Sequence, residues 1–322
     1  MSTVPVSTSS SLLPPIRRAW GDRAFRWLAL ASALTIAALI ALVGWELYTG
    51  ARLAVHQFGA AFLVSSDWDP AADVYGALPF IFGTLVSSAI ALLIAVPLGV
   101  ATALFLTEMA PRRLRGPIIA MVEMLAAVPS VIFGLWGIFV MVPWLRDHLF
   151  PWLKGTLGFL PLFQGPIYGV SMLAGGIVLA IMILPIVTSV SREILRSVPD
   201  LQREAAYALG ATRWEAIRIA VLSYARRGLF GAAVLGLGRA LGETMAITMV
   251  IGNRAEINAS LFAPGYTLAS VIANEFAEAT SDLYLNALFE LGLVLVAITI
   301  VVNALAQLLL RTVAGSDSRK VH

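Results

Sequence analysis

Read for runs of apolar positions, the chain contains six stretches long enough to cross a bilayer. They are about Trp27–Tyr48, Leu78–Thr107, Ile118–Pro143, Ile167–Val190, Leu229–Gly252 and Leu285–Leu310. A helix crosses the hydrocarbon with about 20 such residues. The second run is long enough to tilt or to project beyond the membrane, and Pro97 within it is a candidate kink. Pro129 and Pro185 interrupt the helical ladder of the third and fourth runs. An even number of crossings predicts both termini on one side. Residues 1–26 are rich in Ser and Pro and read as a flexible tail, and residues 313–322 read as a second one. That leaves 27–312 as the membrane-spanning body. The first apolar run is long for the core of a signal peptide and ends at Trp45-Glu46 without a convincing cleavage site, so it reads as an uncleaved anchor.

Composition agrees with the pattern. Of 322 residues, 59% are hydrophobic and 13% charged, and mean hydropathy is +0.86. A water-soluble two-domain protein and a disordered chain are both excluded, and an all-α polytopic membrane protein is predicted. Cysteine is absent, which rules out disulfides, thiolate zinc sites and iron–sulfur centres. The three histidines, His56, His148 and His322, stand far apart, so no metal site is expected. The only lysines, Lys154 and Lys320, precede Gly155 and Val321, so the Gly-Lys-Ser/Thr run of a P-loop is missing. The chain is therefore expected to hold no cofactor, to have no catalytic residue and not to be an enzyme by itself.

Charge sets the orientation. Arg17, Arg18, Arg23 and Arg26 precede the first run, and Arg112, Arg113 and Arg115 follow the second. Arg192, Arg196, Arg203, Arg213, Arg218, Arg226 and Arg227 lie between runs four and five, and Arg311, Arg319 and Lys320 follow the sixth. The other side keeps only Arg52, Arg146, Lys154 and Arg254. The positive-inside rule then predicts cytoplasmic termini in a plasma (inner) membrane. The pI near 9.4 thus reports topology and not nucleic-acid binding. Asn258-Ala259-Ser260 fits a glycosylation sequon, a pattern short enough to arise by chance.

The most informative polar segment is 197–223. Pro199 and Asp200 suit a helix's first turn, good helix formers continue to Leu209, and Gly210 can adopt the left-handed conformation that ends a helix. Thr212-Arg213-Trp214-Glu215 is a capping box that starts another. A helix, a glycine corner and a second helix entering span five are predicted. By composition alone this would be an amphipathic connector on the membrane surface.

The order of residues adds more. Glu204-Ala205-Ala206 followed by Gly210 resembles the EAA motif of ABC-importer permeases; at its distal element Leu222 matches, whereas Ala220 and Ser223 depart. Asp73–Leu78, Ala103–Glu108, Ala127–Ser130 with Trp136-Gly137, Gly236–Ala246 with Gly252-Asn253, and Ala273–Glu278 are similar to the phosphate permeases of that family. The likeness runs from about span one to residue 311. It implies a type I importer architecture in which Glu204, Ala205, Ala206, Gly210 and Leu222 form the coupling element docked in a groove of a separate ATPase. It also implies a homologous second permease, two ATPase subunits carrying ATP and Mg2+, an extracytoplasmic phosphate-binding protein, and transport by alternating access among membrane lipid.

Span five is informative without the family. Gly238 and Gly242 make a small-residue face on which another helix can pack. Arg239 and Glu243 are four residues apart and can pair. An arginine at the bilayer centre costs at least ~2.5 kcal/mol and ordinarily faces a cavity or a partner. Its planar fork matches phosphate oxygens, and Glu243 would temper its charge; the bland reading is that the two only fix helix packing. Glu123 in run three and Glu290 in run six could pair with Arg239 or remain protonated. Outside, Glu256, Glu275, Glu278 and Asp282 against Arg254 read as a solvated acidic face, with a short helix near Ser270–Ala279 that could touch a binding protein. A permease for sulfate, molybdate or another oxyanion and a phosphate-signalling scaffold stay open. A polytopic membrane enzyme is disfavoured, because its acid, base or metal groups would have to gather at one interface.

Overall fold

The computed structural model describes residues 20–315; the Ser/Pro-rich residues 1–19 and the end of the second tail, 316–322, lie outside them. Ten helices matter here: α1 (Trp20–Phe58), α2 (Leu78–Met109), α3 (Arg112–Ala126), α4 (Ser130–Leu157), α5 (Met172–Arg196), α6 (Asp200–Ala208), α7 (Arg213–Leu241), α8 (Met245–Ile251), α9 (Leu268–Glu275) and α10 (Asp282–Gly315). Among the described residues six are long and apolar enough to span a membrane: α1, α2, α4, α5, α7 and the Asp282–Leu310 part of α10. The count matches the apolar pattern, and four boundaries move. Residues 20–26, assigned to the tail, are helical. Span three is Ser130–Leu157, because Ala127-Val128-Pro129 ends α3 and Pro129, extended at φ −58° and ψ 142°, starts a new helix. Span four begins only at Met172, capped by the Ser171 hydroxyl, which accepts from the Ala174 N–H. Span five starts earlier, at Arg213, and breaks after Leu241.

The chain divides into two units at Thr49/Gly50. In the first, Trp20–Thr49 is one helical run whose apolar side chains are almost all exposed, with Ser32 and Thr35 hydroxyls donating to carbonyls four residues back. That is the surface of a helix made for lipid or another subunit.

The second unit is organised around α5, which is two-thirds buried (67%) in its apolar window. Small residues let α2 lie along it: a side chain at Gly99 would meet Val187, and one at Gly176 would lie 2.5 Å from Ile90. Pro97 and Pro185 stay inside continuous helices, so neither breaks a span. In α4 the strain shows differently. Its turns widen to i→i+5 hydrogen bonding at Gly137–Met141 and Leu145–Leu149, beside Pro143 and Pro151. A proline removes a donor and crowds the preceding turn, and widening relieves that clash.

One end of this unit is an aromatic cluster. Trp68 lies edge-on to Phe80 (4.9 Å) and Tyr75 (5.0 Å), and Tyr75 stacks on Tyr284 at 5.6 Å. The expected acidic face is corrected here at Glu275: its carboxylate accepts from Trp68 Nε1 at 2.9 Å and Tyr284 Oη at 2.6 Å, so it fastens the cluster. Burial pushes the Tyr75 phenol up to about 12, so it stays protonated beside the acids of this end. The short outer helix is Leu268–Glu275, started by a reciprocal Thr267/Ser270 cap.

Candidate functional site

Span five supplies the first half of the site. Helix α7 ends at Leu241, Gly242 and Thr244 leave the helical ladder, and α8 resumes at Met245. Glu243 sits in the break with its side chain 4% exposed. Its Oε2 lies 3.2 Å from Nη2 of Arg239 in the last turn of α7, and its Oε1 accepts from the Ala246 N–H at 3.4 Å in the first turn of α8. One buried carboxylate therefore joins both pieces of the span. Arg239 stays 48% exposed, with the rest of its fork open. A buried acid holding a half-exposed guanidinium gives an arginine that is fixed in place, largely compensated, and still able to donate to an anion. Unwound backbone within a membrane segment is tolerated where it lines a cavity or is buried in protein.

The break also changes the reading of the glycines. Gly242 is the residue that terminates α7, and a side chain at Gly238 would meet nothing within 4 Å. Among the described residues no helix packs on Gly238. Gly134 does serve close approach: it lets α4 come against Ala246 and Met249 of α8.

Two expected partners of Arg239 are elsewhere. Glu123 belongs to α3, which is not among the spanning helices, and its carboxylate, 61% exposed, lies 3.5 Å from Arg192 of α5. Glu290 of α10 is buried against a largely apolar cavity of about 630 Å3, lined among others by Val55, Leu63, Ile81, Leu85 and Leu293, and its Oε2 has no hydrogen-bond partner. Neither acid reaches Arg239, because the helices carrying them face other parts of the bundle.

The second half of the site is the hairpin α6–α7. Gly210 has φ +82°, a conformation glycine reaches without a Cβ clash, and its N–H donates to Tyr207 O while Ala211 N–H donates to Ala206 O. Thr212 and Glu215 cap α7 reciprocally. No residue of α6 is buried; Glu204 and Ala205 are exposed and Ala206 half-buried. Leu201, Tyr207, Leu209 and Trp214 present large apolar side chains to the outside. A short helix with small and apolar residues outward leaves an exposed apolar patch of the kind that serves interaction. Leu222 is half-buried in a widened turn, Ile217–Leu222, that carries α7 onward without a break. The departures at Ala220 and Ser223 fit this: Ala220 is buried, and the Ser223 hydroxyl donates to Arg218 O where the motif would have proline.

Sequence reasoning missed Glu108, which joins Arg203 of α6 at 2.9 Å. Its signal was an acid closing an apolar run, facing an arginine-rich loop. It also missed Trp68 and Tyr284.

A multi-pass helical bundle with a broken, arginine-bearing span and an exposed glycine-cornered hairpin defines a transport permease subunit as its class. The chain belongs to the family described as binding-protein-dependent transport system inner membrane component, whose model matches residues 95–315. It is 45% identical over 311 residues to the phosphate transport system permease protein PstC of Mesorhizobium japonicum, covering 95% of each chain. It is 46% identical to PstC of Haemophilus influenzae, over 90% of this chain and 93% of that one. The fold is shared with a bacterial alginate ABC transporter chain at a TM-score of 0.61 and 15% identity, covering 92% of this chain and 98% of that one.

Proposed function

We propose that this chain is the membrane-spanning permease subunit of an ATP-driven phosphate importer, with both termini cytoplasmic. It forms the translocation path with a homologous, PstA-like permease. Two ATPase subunits of the PstB type bind ATP and Mg2+ and grip the α6 hairpin, and an extracytoplasmic phosphate-binding protein delivers the anion. The transport reading is carried by Arg239, half-exposed and braced by buried Glu243 at the break in span five. The choice of phosphate rests on near-full-length relatives that bear that name. Closure of the ATPases would move α6 and reopen the path inward, while Arg239 passes the anion and Glu243 prevents its being trapped by an unopposed charge. Glu123 and Glu290, also expected along the path, do not reach Arg239.

The test is radiolabelled phosphate uptake at low external phosphate in cells with and without the chain, with excess sulfate and molybdate as competitors. Loss of uptake on deletion, in a system those anions do not inhibit, is the expected result. Competition by either anion would move the assignment to another oxyanion, which Arg239 suits equally. Retained uptake with altered phosphate signalling would favour a scaffold.

A further inference from the structure

Glu108, at the end of α2, holds both arms of the docking hairpin. Its carboxylate accepts from Arg203 Nη2 on α6 at 2.9 Å, and its backbone carbonyl accepts from Nη2 of Arg213, the first residue of α7. Both terminal nitrogens of Arg203 are used twice: Nη1 donates to Val198 O at 2.7 Å and Asp200 Oδ1 at 3.0 Å, and Nη2 also reaches Leu195 O at 3.1 Å. One guanidinium thus ties the closing carbonyls of α5, the first turn of α6 and the end of α2. The Arg203 and Glu108 side chains are 19% and 13% exposed, so the pair is shielded from solvent far more than a surface ion pair. Beneath it Ala103, Leu195, Val198, Val221 and Ala225 form a small buried cluster.

Two routes lead away from α6 into the bundle. The covalent one passes the Gly210 corner and the widened turn Ile217–Leu222 before reaching Arg239. The other crosses directly to α2. From Glu108, α2 runs along α5 past Gly99 to its far end, where Thr84 Oγ1 accepts from the Leu268 N–H at 2.9 Å and Gly83 lies under the Tyr266 carbonyl with no room for a side chain. That far end is fastened to the aromatic cluster through Phe80. Alternating access requires several spans to move together, and a chain of packed side chains and charge pairs is the physical means.

We propose that the Glu108–Arg203 pair is the joint that delivers movement of the docking helix α6 to span α2, in parallel with the covalent route through α7. This rests on reading α6 as the ATPase-docking helix. Both residues are positioning residues: neither touches substrate.

The test uses the whole complex in proteoliposomes, with ATP hydrolysis and phosphate uptake measured on the same preparation. In Glu108→Ala, ATP hydrolysis stays within about twofold while uptake falls by about tenfold, inside the roughly 5–150-fold range of typical coupling energies. The chain has no cysteine, so Glu108→Cys/Arg203→Cys can be tied again with a short bifunctional thiol reagent. Uptake per ATP hydrolysed should recover when the tie is made and be lost when it is cut. An unchanged ratio of uptake to hydrolysis in assembled Glu108→Ala overturns the proposal. Should that variant fail to assemble, Glu108→Gln and the tied pair are read instead, and an unchanged ratio in them overturns it equally. The docking reading fails separately: an Ala205→Arg chain that still retains the ATPase subunits contradicts it, whatever Glu108 does.

Discussion

The two ends of α2 are held by opposite chemistry. At its start, Trp68, Tyr75, Phe80 and Tyr284 close edge-to-face and stacked around one carboxylate, Glu275. At its finish, Glu108 is held by arginines, and the helix it anchors has no buried residue. Aromatic pairs add about 0.5–1.5 kcal/mol each beyond area burial and fix ring orientations. A shielded ion pair adds little net stability against its desolvation cost, but it fixes the geometry of the groups it joins. On the coupling proposal the aromatic end is the fixed point of the second unit and the arginine end its moving part, so breaking the first should cost stability and breaking the second should cost coupling.

Mutations can break or sharpen that contrast. Trp68→Ala removes the centre of the cluster and should cost about 3 kcal/mol, read as earlier thermal unfolding of the detergent-purified protein. Glu275→Leu leaves Trp68 Nε1 and Tyr284 Oη without their acceptor and should cost about 2 kcal/mol by the same measurement. Gly210→Val forces a branched side chain to φ +82°. The strain is about 1–2 kcal/mol and local, yet uptake should collapse while ATP hydrolysis persists. Equal losses of stability from Gly210→Val and Trp68→Ala would erase the distinction between the two ends. Glu123→Gln, which alters the 61%-exposed acid of the pair with Arg192, should change stability by less than about 1 kcal/mol and leave uptake intact.

Much of this was legible in the chain. Six apolar runs gave six spans, because the bilayer imposes a length that no soluble context does. The hairpin was legible down to Gly210 and the Thr212/Glu215 cap, since capping chemistry is local. The boundaries of spans three and five were not. Hydropathy cannot see that Pro129 starts a helix or that Gly242 ends one, because the residues on both sides are equally apolar. The pairing of Arg239 with Glu243 followed from their four-residue spacing and survives the break between them, whereas Glu123–Arg192 and Glu108–Arg203 join residues distant in sequence and needed the packing of α2, α3, α5 and α6. Glu275 looked like surface charge because its two donors lie on other segments, Trp68 before α2 and Tyr284 on α10.

The central claim is that Arg239 handles the anion and does not merely fasten span five. Its most direct test is phosphate uptake by the purified, reconstituted complex carrying Arg239→Ala, with subunit composition checked on the same sample. The account predicts an intact complex that hydrolyses ATP and imports no phosphate. Uptake at the unaltered rate, or a complex that no longer assembles, would contradict it and leave the Arg239–Glu243 pair as a packing device.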